Sequence, residues 1–221
     1  HPSISRCSGK NNCTYKYVDN YETECTGIGV VMVKFVCVQE SQVQRFCNVN
    51  VRRPKGYISS PRYPLFYPKL DSCTWNIEGE EGQKVLVQVL DISTTLPRRY
   101  YGRPVCDDSL TVTEGDNRNL MTTCGDTVDS LKQVESLGNR LKVNFQSTQF
   151  NPLRGFLLRY QLKNCPTLSA PKLGYLVHRN DSSALYMCCK GHVFNDTMEN
   201  VKVLSCIDGE HWNSVLPPCI P

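Results

Sequence analysis

The sequence predicts an all-β fold held together by disulfide bonds, and three observations support this prediction. Short runs of alternating or β-branched apolar residues recur along the chain, bounded by glycine, proline, aspartate and asparagine. Helical periodicity is missing apart from one turn near residues 130–135. Thirteen cysteines are spread from Cys7 to Cys219. Many short strands separated by turn signals are typical of a β-sandwich.

Four segments are expected to be strands. Residues 141–145 alternate apolar with polar side chains, the period of two that buries one face of a strand. Residues 85–92, 110–112 and 156–162 are short apolar runs between turn residues. A further apolar run at 30–38 also predicts a strand.

The cysteine content indicates an oxidising compartment, because thiols stay reduced in the cytosol whereas small secreted domains depend on disulfides. Asn12, Asn180 and Asn195 begin glycosylation sequons, which predicts that they are exposed in a secreted chain. No stretch approaches the ~18 consecutive apolar residues of a membrane span, and the polar start at His1 is unlike a signal peptide. We expect an extracellular chain or part of an ectodomain, without membrane insertion by this segment.

The sequence offers no catalytic machinery. Its histidines are His1, His178, His192 and His211, and no serine lies in a Gly-x-Ser-x-Gly or similar elbow where a base could activate it. The sequence also has no phosphate-binding glycine loop. The spacing of Cys189 and His192 supplies only two ligands, too few for a tetrahedral zinc site. The net charge of +4 is too mild for a dedicated nucleic-acid binder. We expect a non-enzymatic protein without cofactor, metal or nucleic-acid partner.

The segment that begins at Cys47 carries the landmarks of one known family in their usual order. They are Gly56-Tyr57-Ile58-Ser59-Ser60-Pro61-Arg62-Tyr63-Pro64, Tyr67-Pro68, Cys73-Thr74-Trp75-Asn76-Ile77, Cys106-Asp107-Asp108-Ser109-Leu110, Cys124-Gly125, Phe145-Gln146-Ser147 and Arg154-Gly155-Phe156. Residues 47–163 therefore resemble a CUB domain. The resemblance implies a β-sandwich with bridges Cys47–Cys73 and Cys106–Cys124. Trp75 is expected in its core.

Many CUB domains hold a calcium ion through three acidic side chains and grip a partner's lysine through it. The resemblance places one of these acids at Asp108, but Ser93 and Thr148 stand where the other two would be. Calcium needs several charged oxygens, so two hydroxyls in place of carboxylates should remove most of the affinity. The sequence therefore predicts a CUB domain that does not bind calcium.

A loop framed by Pro97 and Pro104 is the candidate binding site. Its side chains are Arg98, Arg99, Tyr100, Tyr101 and Arg103. Arginine and tyrosine are enriched in protein interfaces because they combine large contact area with directed polar groups. Two interpretations stay open: a solvated turn with incidental charge, or a recognition loop for an acidic protein or a sulfated glycan.

The C-terminal part carries a second set of landmarks. They are Cys165-Pro166, Gly174-Tyr175, Tyr186-Met187-Cys188, Gly191, Cys206, Gly209, Trp212, Pro217-Pro218 and Cys219. Residues 164–221 therefore resemble a Sushi (complement control protein) module. The resemblance implies bridges Cys165–Cys206 and Cys188–Cys219, with Trp212 packed against them in a core too small to stand alone.

Cys189 is the odd cysteine of this pattern. Adjacent residues of a strand face opposite sides, so Cys189 should point away from the module if Cys188 points into it. Three interpretations compete: a bridge to the N-terminal segment, a disulfide-linked homodimer, or a buried thiol without a partner. The odd total of thirteen cysteines favours the dimer.

Residues 1–46 form a Cys-rich N-terminal segment of no recognised family. Cys7, Cys13, Cys25 and Cys37 allow three pairings, between which the sequence does not choose.

Together these features predict an extracellular protein-binding adaptor, as a receptor ectodomain or a soluble ligand. The alternatives are the non-catalytic region of a complement-like or developmental protease and a matrix protein that binds sulfated glycans.

Overall fold

The computed structural model describes residues 7–14, 35–115, 118–126 and 132–221. In these ranges the fold is all-β with one 3₁₀ turn, Glu40–Gln42. No helix in the described part has the length and apolar character needed to cross a bilayer. The first twelve strands are β1 (Val43–Gln44), β2 (Val49–Val51), β3 (Lys55–Ser59), β4 (Leu70–Glu78), β5 (Lys84–Ser93), β6 (Arg98–Tyr100), β7 (Arg103–Val105), β8 (Ser109–Glu114), β9 (Arg118–Thr123), β10 (Gln133–Glu135), β11 (Arg140–Ser147) and β12 (Gly155–Lys163).

Ten of these strands form the sandwich. One sheet has the order β1-β3-β12-β5-β10 and the other β2-β4-β11-β8-β9. The pairs β1–β3 and β2–β4 are parallel, and the remaining pairs are antiparallel. The strands β6 and β7 form a separate two-stranded hairpin.

Alternating side chains build the core between the two sheets, as expected. On β11, Leu141, Val143 and Phe145 are buried whereas the intervening Lys142 is exposed. Trp75 on β4 is fully buried, which confirms its predicted place in the core. Its ring packs edge-on against Phe156 of the opposite sheet at 5.7 Å between centroids, and Phe156 lies 5.1 Å from Phe145. These contacts lock the two sheets face to face.

Two local predictions need correction. Residues 133–135, where a helical turn was expected, form β10 and pair antiparallel with β5. There Val134 packs against the sandwich core, so tertiary contacts override a weak local signal. The strand expected at 30–38 lies partly outside the described residues, and its described part, from Phe35 onward, is irregular. Phe35 is exposed and no described strand pairs with it, so nothing there stabilises an extended ladder.

The remaining strands form a smaller unit at residues 165–220, called the C-terminal unit below. Its strands are β13 (Gly174–Arg179), β14 (Ser183–Cys188), β15 (Val193–Phe194), β16 (Val201–Ile207), β17 (His211–Trp212) and β18 (Cys219–Ile220). Four of them form a sheet of order β13-β14-β16-β17, and β15 pairs with β18. Its buried core is small, comprising Ala184, Tyr186, Cys188, Phe194, Leu204 and Cys219.

Arg179 joins the C-terminal unit to the sandwich. Its guanidinium donates a hydrogen bond to the carbonyl of Gly82 at 3.1 Å and another to the carbonyl of Cys165. The same group lies 5.7 Å from the ring centroid of Trp212, within cation–π range. One side chain therefore contacts the turn between β4 and β5 and the core tryptophan of the C-terminal unit.

Candidate functional site

The candidate site lies at one end of the sandwich, where several strands end or begin. Tyr67 precedes β4, Thr95 follows β5, Asp108 precedes β8, Thr148 follows β11 and Asn151 precedes β12. Because these strands are antiparallel neighbours or face each other across the core, the five residues meet at the same end. This end, made of the loops 60–69, 94–108 and 148–154, is called the Asp108 edge.

The Asp108 carboxylate is buried and accepts hydrogen bonds from all three loops. Tyr67 donates its hydroxyl at 2.8 Å, Asn151 donates its amide at 2.9 Å, and the Thr95 hydroxyl donates to the same Oδ2 atom. Thr148 donates its backbone N–H to Oδ1 at 2.8 Å and its hydroxyl to Oδ1 at 3.1 Å. Both carboxylate oxygens are therefore surrounded by donors that belong to the protein.

The protonation states at this site follow from these contacts. Burial by itself opposes ionisation of Asp108, but the hydrogen bonds from Thr95, Thr148 and Tyr67 outweigh it and lower the pKa of Asp108 below its ordinary value. Burial raises the pKa of Tyr67 to about 12. At neutral pH the site consequently holds an ionised carboxylate and a protonated phenol, the pairing in which the phenol donates.

The residues at the Asp108 edge do not fit a calcium ion. Asp108 is the sole carboxylate of the three expected positions, and Thr148 directs an N–H and a hydroxyl at it instead of a second acid. Ser93 is buried, and its backbone forms a β-bridge with Asp126. The Thr148 backbone N–H points at Oδ1 of Asp108 and the Asn151 amide points at Oδ2, so each oxygen already faces a donor on a side from which a cation would approach. Among the described residues, no group of three or more potential metal ligands was found.

Asp91, the nearest other acid on β5, is used by a different contact. Arg154 donates Nε and a terminal N–H to its two oxygens at 3.0 and 2.9 Å, in the bidentate geometry of strong ion pairs. The Tyr63 hydroxyl donates to the same carboxylate at 2.8 Å. Arg154 is nine-tenths buried, so Asp91 compensates an internal charge and is not available as a third cation ligand.

The expected loop at 97–104 is a β-hairpin. The strands β6 and β7 are antiparallel, with Arg98 opposite Val105 and Tyr100 opposite Arg103. Tyr101 and Gly102 form the turn between them. Both turn residues have positive φ, 48° and 76°, as the two-residue turns that match strand twist require. Because the segment folds back on itself, the three arginines and two tyrosines between Pro97 and Pro104 lie close together in space.

The side chains of this hairpin are exposed. Tyr101 is 89% exposed and Tyr100 is 59% exposed, and their rings meet edge-on at 4.5 Å. Arg98 donates to Asp107 at 2.8 Å, which neutralises its charge locally. Arg99 and Arg103 are also exposed and present their guanidinium groups to solvent.

The base of the hairpin is anchored to the sandwich at several points. The Cys106–Cys124 disulfide ties its second leg to the end of β9. On the first leg, Thr94 and Gly125 exchange two hydrogen bonds, at 3.0 and 2.8 Å. Gly125 has φ +88°, and a side chain there would contact Pro97 at 3.3 Å. The exposed tip therefore stands on a rigid base.

The cysteines are placed as follows. The structure contains the bridges Cys47–Cys73, Cys106–Cys124, Cys165–Cys206 and Cys188–Cys219, and it adds Cys7–Cys13. Within the described ranges, Cys37 and Cys189 are free and exposed, and Cys25 lies outside these ranges. The exposure of Cys189 rules out the buried-thiol interpretation.

The sequon asparagines Asn12, Asn180 and Asn195 are all exposed.

Sequence reasoning missed three residues of the site. Tyr67, Thr95 and Asn151 are distant from Asp108 along the chain, and no local pattern marks a hydroxyl or amide that folding brings to a carboxylate. The signal available was partial, since Thr95 lies shortly after the predicted strand at 85–92 and Asn151 shortly before the one at 156–162, whereas Tyr67 adjoins no predicted strand.

Comparisons with known proteins agree with this architecture. The CUB domain model matches residues 47–160. Mannan-binding lectin serine protease 1 of Rattus norvegicus is 26% identical over 174 residues, covering 74% of this chain and 24% of that protein. Signal peptide, CUB and EGF-like domain-containing protein 3 of Mus musculus is 30% identical over 119 residues, covering 52% of this chain and 11% of that protein. This chain spans about a quarter or less of the length of these relatives.

Among solved structures, the MASP-1 CUB2 domain bound to Ca2+ is 27% identical, with a TM-score of 0.44, covering 51% of this chain and 96% of that domain. The family model covers more than half of the present chain, from the first cysteine of the sandwich to its last long strand. The chain therefore belongs to the CUB domain family.

Proposed function

We propose that this chain is an extracellular, non-catalytic module array that binds another protein through the hairpin of the Asp108 edge. CUB domains mediate protein–protein interactions. The observation that carries the proposal for this chain is the hairpin itself, whose arginines and tyrosines are exposed on an anchored base. Such side chains are typical of interface anchors, and a rigid base lowers the entropy lost on binding.

The proposal that no catalysis occurs rests on the surroundings of the histidines. His178 lies on the exposed edge strand β13, and His211 lies on β17. The imidazole Nδ1 of His192 lies 3.3 Å from the backbone carbonyl of Lys190. A hydrolytic nucleophile needs a base within hydrogen-bond reach, and none of these contacts supplies one.

The C-terminal unit fits the proposed Sushi module. Two disulfides, Cys165–Cys206 and Cys188–Cys219, staple its ends, and Trp212 packs against its small core. The indole N–H of Trp212 donates to the Pro166 carbonyl at 2.8 Å, next to the first of these cysteines. A tandem of CUB and Sushi modules supports an adaptor role, because each module presents its own surface.

The second candidate function is the non-catalytic region of a protease. Its support is the similarity to mannan-binding lectin serine protease 1, which extends over 74% of this chain. In this arrangement the modules would position an enzyme carried elsewhere on a longer protein. Sequencing the full-length transcript discriminates the two candidate functions, since a protease domain encoded after residue 221 would favour the protease region over the adaptor.

Replacing Arg98, Arg99 and Arg103 by alanine together tests the hairpin. We expect binding of the labelled chain to heparinase-treated cells to fall by tenfold or more, because a desolvated interfacial arginine contributes about 2 kcal/mol or more. The matched control replaces the exposed cations Arg140, Lys142 and Arg159 of the sandwich strands and should bind like the wild type. Unchanged binding of the hairpin variant at both low and physiological salt would favour the solvated-turn interpretation. If the hairpin variant loses binding only on cells that were not treated with heparinase, the hairpin binds a sulfated glycan instead of a protein.

Cys189 is proposed to form an intermolecular disulfide. Its free thiol is exposed directly after β14, and the neighbouring strands β13 and β16 carry Tyr175 and Val203, each about half exposed. A symmetric contact needs only one such face and one bond near the two-fold axis. We expect a dimer of the wild type on non-reducing electrophoresis, a monomer of Cys189→Ser, and a persisting dimer of the control Cys37→Ser. A wild-type monomer with an alkylatable Cys189 would contradict the proposal.

A further inference from the structure

Two loops beside the hairpin also carry exposed side chains suited to an interface. Leu65, in the loop before β4, is 73% exposed, and Phe150, in the loop before β12, is 58% exposed. The ring of Phe66 lies 5.3 Å from that of Phe150, and the guanidinium of Arg62 lies 5.6 Å from the Phe66 ring centroid. An arginine over one ring, which in turn contacts a second ring, presents apolar area and positive charge in one place.

These two loops are held together by backbone pairing. Tyr67 and Asn151 form an isolated β-bridge, with N···O distances of 3.2 and 3.1 Å in the two directions. Each residue directly follows one of the paired rings, Phe66 and Phe150. The aromatic pair is therefore fixed by the same bridge that brings two donors to Asp108.

The hairpin is connected to this pair through Thr95. Its backbone N–H donates to the Tyr67 hydroxyl at 3.2 Å, and its own hydroxyl donates to Asp108 and accepts from the Asn151 amide at 3.3 Å. Thr95 and Asp108 stand at the two ends of the hairpin segment, so one carboxylate closes the hairpin and joins it to both aromatic loops. A chain of satisfied polar contacts of this kind rigidifies the groups that take part.

We infer that Asp108 is the positioning residue of a three-loop recognition surface that needs no calcium, and that this surface binds an acidic protein segment carrying an apolar anchor. The surface consists of the hairpin, the Arg62–Phe66 loop and the Phe150 loop. This inference rests on the proposed function of the hairpin and extends it to two further loops and to the chemistry of the partner.

The partner's chemistry follows from the exposed groups. Arg62, Arg99 and Arg103 offer guanidinium groups, which recognise carboxylates in bidentate geometry. Leu65 and Phe150 offer apolar area that stays exposed to water unless a partner covers it. A carboxylate beside a leucine or an aromatic residue would satisfy both, whereas a sulfated glycan would use the arginines alone. The observations favour the protein segment.

The first test measures positioning without any partner. Hydrogen exchange of the backbone amides in 96–105 and 148–152 should be at least tenfold faster in Asp108→Asn than in the wild type, with and without calcium. The control Glu80→Gln makes the same chemical change in the exposed turn at the opposite end of the sandwich and should leave these amides unchanged. If Asp108→Asn fails to fold, Thr148→Ala, which removes one donor hydroxyl, replaces it. Unchanged exchange in the folded variant would overturn the positioning role.

The second test uses a library of random twelve-residue peptides displayed on phage and selected on the full chain in the presence of a calcium chelator. The selected peptides should be enriched in aspartate or glutamate next to leucine or phenylalanine. Affinity for a synthetic copy should fall at least tenfold in Arg99→Ala/Arg103→Ala and in Phe150→Ala, and should be unchanged in Arg140→Ala.

The outcomes separate this inference from the proposed function. Loss of binding in the arginine variant but not in Phe150→Ala would overturn the three-loop surface and leave the hairpin function intact. If peptide binding is unchanged in both the arginine variant and Phe150→Ala, the three-loop surface and the proposed hairpin function are both overturned. Heparin binding that depends on the arginines, together with peptides lacking acidic residues, would assign the surface to a glycan and overturn the inference.

Discussion

Replacing Asp108 by asparagine is expected to lower the free energy of unfolding of the sandwich by about 3 kcal/mol at pH 7. The amide has almost the same shape, but its NH₂ group would face donors from Thr95, Tyr67 or Thr148, so that hydrogen bonds are lost and buried groups are left unpaired. Urea unfolding followed by the fluorescence of Trp75 in the core measures the effect. Glu80→Gln, exposed and distant, should change the free energy by less than about 0.5 kcal/mol.

The effect of Asp108 should also depend on pH in a definite direction. The pKa of Asp108 is lowered from 3.8 in the folded protein, so the folded state binds its proton less readily than the unfolded state does. The stability that the carboxylate contributes is then fully present above the ordinary value and is lost as the pH falls through the lower, folded-state pKa. The difference in free energy of unfolding between the wild type and Asp108→Asn should become smaller below about pH 4. A difference that stays constant or widens on acidification would contradict an ionised, hydrogen-bonded Asp108.

Removal of the Cys188–Cys219 bridge is expected to unfold the C-terminal unit while the sandwich stays folded. The bridge spans 31 residues, and loss of such a cross-link costs about 4 kcal/mol by chain entropy. Both sulfurs belong to a buried core of only six residues, which cannot compensate for that loss. In Cys188→Ser/Cys219→Ser we expect the fluorescence emission of Trp212 to shift to longer wavelength. The emission wavelength of Trp75, which is buried in the sandwich, should stay unchanged.

The neighbouring cysteine supplies the control for this experiment. Cys189→Ser makes the same chemical change one residue away without breaking a bridge of the chain. Under non-reducing conditions the free energy of unfolding of its C-terminal unit should match that of the wild type within about 0.5 kcal/mol. A double variant whose C-terminal unit unfolds no earlier than that of Cys189→Ser would show that the unit is stabilised by its packing and not by the bridge.

The fold was predictable from the sequence wherever local periodicity and burial agree. Residues 141–145 alternate strictly and form the middle of β11, and the apolar run at 85–92 forms most of β5. Residues 133–135 have no such pattern, and only their pairing with β5 makes them a strand. The sequence predicts a loop between Pro97 and Pro104, whereas the structure pairs β6 with β7. Tyr101-Gly102 is not one of the common two-residue turn pairs, so the local signal for a hairpin is weak.

The site was predictable only in part, for a related reason. The family resemblance singled out Asp108, Ser93 and Thr148 as the positions that decide about calcium, and the structure shows that Thr148 donates to Asp108. What replaces the cation depends on Tyr67 and Asn151, which lie about forty residues from Asp108 on either side. Side chains so far apart in sequence meet only through the tertiary fold, and no single-chain pattern records that meeting.

We propose that hydrogen bonds to Asp108, and not a calcium ion, hold the Asp108 edge together. Calcium titration of the metal-free chain, by calorimetry and by the melting temperature of the sandwich, tests it most directly. A variant with Ser93→Glu and Thr148→Asp, which supplies the two missing acids, serves as the positive control, since its clustered carboxylates should make its melting temperature rise with calcium. We expect the wild type to show no binding heat and no shift at free calcium up to about 10⁻³ M, the range of extracellular calcium modules. A calcium-dependent rise in the wild-type melting temperature that Asp108→Ala abolishes would show that calcium, and not the hydrogen bonds alone, holds the Asp108 edge.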